Sequence, residues 1–74
     1  MQRERPVHLT FRGLRRTRRL MELSFQDLAE MSGLHRQTLW AWEAGRAAPG
    51  LAEFVAVARA LGKPLHELFE VTKE

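Results

Sequence analysis

The sequence predicts an all-α domain: a compact bundle of five helices arranged around two short central ones joined at Gly33. Three observations carry that prediction. Residues 24 to 45 hold a helix start, a stop and a second helix in close succession. On either side, apolar residues recur at spacings of three and four, the period of a helix face. No stretch alternates as a half-buried strand would, and no segment repeats. With 74 residues, the chain is one small domain that buries only ~60% of its unfolded surface, a limit that suits closely packed helices.

The elements follow in order. Residues 1 to 9 carry Pro6 and little periodicity, and read as a flexible basic arm in which Arg3 and Arg5 can touch phosphate. Thr10 is a candidate N-cap for a first helix from Phe11 to about Glu22. There Phe11, Leu14, Arg18 and Met21 share one stripe, Arg12, Arg15, Arg16 and Arg19 occupy the other faces, and Leu20 lies off the stripe. Leu23 packs the junction. Ser24 and Asp27 form a capping box, the hydroxyl accepting from an early N–H and the carboxylate reaching back, so a second helix starts there with Leu28 and Ala29 inward. Gly33 suits the left-handed conformation that ends it, and Leu34 anchors the tight turn.

A third helix runs from His35 to about Ala44, with Leu39 and Trp42 on a buried face and Arg36, Gln37, Trp40 and Ala41 on the other. Together, helices two and three make a helix-turn-helix. Gly45 to Gly50 is a loop of residues that break regular structure. Leu51, Phe54, Val55, Val57, Ala58 and Leu61 form the apolar face of a fourth helix that Gly62 ends. Pro64 suits a first turn, and Leu65, Leu68 and Phe69 complete a short fifth helix before a tail over residues 71 to 74. The domain proper is thus residues 10 to 70.

The net charge of +3 hides an asymmetry: residues 1 to 20 hold seven arginines and one glutamate, leaving a net −3 on the remainder. Basic charge gathered at one end points to a polyanionic partner, a nucleic acid or an anionic membrane, unless it is only a solvated face. With no cysteine, neither a disulfide framework nor a thiolate metal site is available, and a reducing compartment is expected. Met-Gln-Arg-Glu-Arg-Pro lacks the apolar run of a signal peptide, and no stretch approaches the ~20 apolar residues of a membrane span. The expected location is cytoplasmic. His8, His35 and His66 have no metal-ligand spacing, and no nucleophile sits beside a base, so no metal, cofactor or catalytic residue is assigned and an enzyme is the least supported class.

Over residues 11 to 70 the chain resembles the lambda-repressor-like, Cro/C1-type helix-turn-helix domains of the XRE family. The matching residues begin with Leu14 and Arg18, then Leu23, Ser24, Leu28, Ala29, Gly33 and Leu34. They continue with Thr38, Leu39, Trp42, Glu43, Gly45, Pro49, Leu51, Ala58, Ala60, Leu61, Gly62 and Leu65 to Phe69. The resemblance implies a five-helix bundle whose third helix enters the major groove of DNA. By position, it gives base contacts to Arg36, Gln37, Trp40 and Ala41. It gives phosphate contact to Arg46, and an internal ion pair to Arg18 and Glu43. Arg18, on an otherwise apolar stripe, requires a partner on physical grounds as well. Ser24, Phe25, His35, Arg15 and Arg16 are further candidates for phosphate.

Three positions depart from the family pattern. Phe25 stands where glutamine is common, which leaves only backbone N–H groups for that anion. His35 replaces a Ser or Thr cap and can cap through a neutral ring nitrogen, touch phosphate or be solvated, the last two together being favoured. Trp40 can meet a thymine methyl, join a protein interface or fold over the bundle edge. Gln37 can bond adenine bidentately, Arg36 can address guanine or phosphate, and Ala41 suits a thymine methyl. The expected function is therefore sequence-specific double-stranded DNA binding by a transcriptional regulator, a repressor or autoregulator, with a homodimer on a palindromic operator. The alternative is a protein-interaction module, or an antitoxin facing a toxin or effector, built on Trp40, Phe25, Leu20 and Met31. A basic amphipathic helix on lipid over residues 8 to 23 leaves residues 24 to 70 unexplained.

Overall fold

The computed structural model describes residues 7–73, in the order β1 (Val7–Thr10), α1 (Arg12–Leu20), α2 (Phe25–Ser32), α3 (Arg36–Glu43), α4 (Leu51–Leu61), a 3-10 turn (Leu65–Glu67) and β2 (Glu70–Lys73). Each central boundary has a chemical cause. Ser24 Oγ accepts from the Asp27 N–H at 3.0 Å while Asp27 Oδ2 accepts from the Ser24 N–H at 2.9 Å, a reciprocal box that starts α2. Gly33, at φ 78°, ends α2 in the left-handed region, where a side chain would be strained. Ser32 Oγ donates to the Leu28 carbonyl at 2.7 Å and fixes the turn from the other side.

The core is centred on Leu14, Leu28, Leu39, Trp42, Val57 and Leu68, all essentially without solvent contact. Phe54 of α4 links its halves: its ring meets Phe11 and Trp42 edge-on at centroid distances of 5.5 and 6.4 Å, geometries that the aromatic quadrupole favours. Gly13 of α1 is buried because the chain following the 3-10 turn crosses it. The Leu14 N–H donates to the Leu68 carbonyl at 3.0 Å, and a Cβ on Gly13 would overlap the Glu67 carbonyl oxygen.

The structure corrects several expectations. The five-helix bundle is four α-helices, since the fifth element is a single 3-10 turn over Leu65–Glu67. Leu68 leaves the helical path because its carbonyl is taken by Leu14. Strands exist where none was expected: β1 and β2 pair antiparallel, Leu9 opposite Val71 and Thr10 opposite Glu70. Part of the arm assigned to residues 1 to 9, and part of the tail assigned to 71 to 74, are therefore a ribbon; Arg3 and Arg5 lie outside the described residues. Thr10 does not cap α1: Phe11 holds the N-cap position with no side-chain bond, and Thr10 Oγ1 is buried without a hydrogen-bond partner. Met21 and Leu51, placed on apolar faces, are exposed, because both sit at helix ends that project past the core. Among the described residues no helix is long and apolar enough to cross a membrane.

Candidate nucleic-acid interface

The burial of one face of α3 determines what the other face can present. Leu39 is fully buried and Trp42 nearly so, which turns Arg36, Gln37 and Trp40 outward and leaves Ala41 partly covered beside them. Residues 36, 37, 40 and 41 are neighbours on one side of a 3.6-residue helix. The N-terminus of α3 is fixed by His35, whose Nδ1 accepts the Gln37 N–H at 3.1 Å. Of the roles open to His35, capping is therefore the one formed. With Nδ1 accepting, the ring proton is on Nε2 and can donate outward. At the other end Gly45, at φ 76°, reverses the chain so that the Arg46 N–H donates back to the Ala41 carbonyl at 2.8 Å. That brings the Arg46 guanidinium over the Trp40 ring, 5.6 Å from its centroid.

Beneath this face lies the Arg18–Glu43 pair. Arg18 Nε donates to Glu43 Oε2 at 2.8 Å and Arg18 Nη2 to Oε1 at 3.0 Å, while Nη1 donates to the Leu23 carbonyl at 2.8 Å. Every nitrogen of the guanidinium is thereby engaged, as a buried charge requires. The Phe25 ring closes over it, 4.1 Å from Arg18 Cζ. Phe25 thus has a structural task that sequence comparison alone did not give it. The pair ties α1 to α3 and removes the Glu43 charge from the surface near Trp40.

The remaining cations divide by helix geometry. Arg15 and Arg19, one turn apart on α1, line a depression with Phe25 and Trp40, close to the outward face of α3. Arg16 is rotated away: it lines another depression with Lys63 and His66, and its Nη2 lies 3.5 Å from Glu70 Oε1. The structure does not bring Arg16 together with α3, against its assignment to phosphate, whereas Arg19, not chosen from sequence, belongs to the cluster. The signal was present in its four-residue spacing from Arg15. Asp27 also lies near this surface, held below the usual carboxylate range by the backbone N–H of Ser24 and then by its hydroxyl. Among the described residues, no cluster of His, Asp or Glu could hold a metal ion.

Residues 14–68 match the model of the family HTH_3, helix-turn-helix. Comparison with curated proteins gives no match. Among solved structures, the restriction-modification controller protein C.AhdI from Aeromonas hydrophila is 32% identical, with a TM-score of 0.72 over 76% of this chain and 85% of that one. An HTH_3 family transcriptional regulator from Vibrio cholerae is 23% identical at the same TM-score, and there the match takes up 32% of the longer chain. The transcriptional regulator VanUg has the higher TM-score of 0.81, covering 100% of this chain and 97% of that one at 14% identity, a likeness of fold alone.

Proposed function

The chain belongs to the helix-turn-helix family HTH_3, and on that footing we propose that it is a DNA-binding transcriptional regulator that reads a specific double-stranded sequence with the outward face of α3. The observation that carries this reading is the array of Arg36, Gln37, Trp40 and Ala41, held outward by the burial of Leu39 and Trp42. Its chemistry suits the major groove. The Gln37 amide both donates and accepts, matching adenine N6 and N7; Arg36 suits guanine O6 and N7; Trp40 and Ala41 offer apolar contact to thymine methyl groups.

Phosphates are held from both sides of the helix. Arg46 serves one strand, and Arg15 and Arg19 on α1 serve the other. The His35 Nε2–H, the Ser24 hydroxyl proton and the Phe25 N–H add shorter-range donors at the helix starts. The likeness to a restriction-modification controller supports a regulatory role, and repression or autoregulation by occupying a promoter is its simplest form. One α3 reads few base pairs, so the working unit is a homodimer on a palindrome. The rival surface on Trp40 and Phe25 loses weight because the Phe25 ring is committed to Arg18.

Selection of bound duplexes from random DNA tests the proposal. A palindrome with half-sites about one helical turn, roughly 34 Å, apart is expected, and affinity should fall when five base pairs are inserted between them. Recovery of no enriched sequence would overturn it.

A further inference from the structure

The ribbon and the start of α4 enclose a feature that DNA binding leaves unused. A groove of about 570 Å³ opens between them, walled by Leu9, Pro49, Leu51, Leu65 and Phe69, and His66 is the one ionisable side chain among the described residues that line it. Its rim is apolar and open to solvent: Leu51 is 73% exposed, Leu9 47%, and Val71, directly opposite Leu9 on the ribbon, 51%. Leucine and valine at such exposure gain nothing from water, and a contiguous apolar patch marks a contact surface.

We propose that this face is where a second copy of the chain docks, forming the dimer in solution before DNA is met. Three observations select a second copy over another occupant. First, Leu9, Leu51 and Val71 together present on the order of 300 Å² of apolar surface, to which the groove walls add, and a standard interface takes ~800 Å² from each partner with a little over half of it apolar. Second, Pro49 and Leu51 follow the short loop that leaves the C-terminal end of α3, so a two-fold axis through this face sets two copies of α3 side by side. Third, among the described residues no third strand joins the ribbon, and an edge strand paired antiparallel with its own copy obeys the same two-fold symmetry. The lining carries no lysine or arginine, so the positive charge of two chains is kept out of the contact. This rests on the reading of α3 above for its purpose, since pairing supplies the second half-site.

Analytical ultracentrifugation of the full chain without DNA, across a micromolar concentration series, tests it. The mass should rise from 8.6 kDa toward twice that value. Leu51→Glu and, independently, Leu9→Lys should each raise the dimer dissociation constant by about 30-fold or more, since charge placed in a desolvated contact is poorly tolerated. Both positions lie outside the core, so helical circular dichroism should be preserved. Leu20→Glu, also highly exposed but on the face with Arg16 and Lys63, should leave the dimer unchanged. A chain that stays monomeric throughout the series, or a dimer weakened equally by Leu20→Glu, would overturn the proposal. The two readings fail separately: a dimer that binds no DNA counts against the DNA reading, whereas a monomer that binds DNA counts against this one.

Discussion

Arg18 and Glu43, 25 residues apart, meet in a bidentate ion pair that is 11% and 5% exposed, with the third guanidinium nitrogen bonded to the Leu23 carbonyl. At that burial the cost of losing one partner exceeds the attraction lost, because the survivor remains desolvated and unpaired. Glu43→Ala should lower unfolding free energy by about 3 to 5 kcal/mol, and replacing both residues by apolar ones of similar volume should cost far less. Urea titration of the three proteins measures this. A single variant as stable as the parent would mean that Arg18 reaches water.

Gly13 should not tolerate alanine. Elsewhere in a helix the change gains about 1 kcal/mol, but here the added methyl meets the backbone carbonyl of Glu67, which cannot rotate away. A net loss of about 1 to 3 kcal/mol is expected, as for other overpacked sites. A rise in melting temperature for Gly13→Ala would refute the close crossing of α1 by the chain after the 3-10 turn.

The capping box makes α2 sensitive to acid. Asp27 is held below its ordinary range by its bonds to Ser24, so the native state favours the carboxylate. Its contribution is present above the usual carboxylate range and is lost as pH falls through the lowered native value. Asp27→Asn, a neutral mimic, should therefore be less stable than the parent near pH 7, with the gap narrowing in acid. A gap that widens as pH falls would contradict the box.

What was legible in the sequence was what local chemistry controls. Ser24, Asp27 and Gly33 bracket α2 by bonds within four residues, and the spacing of Leu39 and Trp42 alone gives α3 its inward face. The ribbon was not legible: Thr10 finds Glu70 across almost the whole chain, and four-residue strands are too short for an alternating pattern to register. Leu51 fits the apolar period of α4 yet stands in solvent, because periodicity gives direction around a helix and not whether a neighbour lies opposite its first turn. Arg16 was grouped with Arg15 by adjacency in sequence, although consecutive helical residues diverge by about 100°.

That divergence has a consequence for binding. Arg15→Ala and Arg19→Ala should each reduce the salt slope of DNA binding by about one, because each removes a phosphate contact near α3. Arg16→Ala, on the side of Glu70, should leave the slope unchanged. Fluorescence anisotropy over a salt series distinguishes the three, and a loss confined to Arg16→Ala would place the DNA backbone on the wrong side of α1.

The central claim is that α3 reads bases while the loop after it holds the backbone, and Gln37 and Arg46 separate these tasks. Gln37→Ala should cost about 1 to 3 kcal/mol on the preferred duplex and little on a scrambled one, since only a matched base edge uses both halves of its amide. Arg46→Ala should weaken both duplexes alike and reduce the salt slope by about one, with preference retained. The decisive measurement is the anisotropy of both variants on both duplexes. The account predicts that preference is lost with Gln37 and kept without Arg46; equal weakening of both duplexes by Gln37→Ala would contradict it.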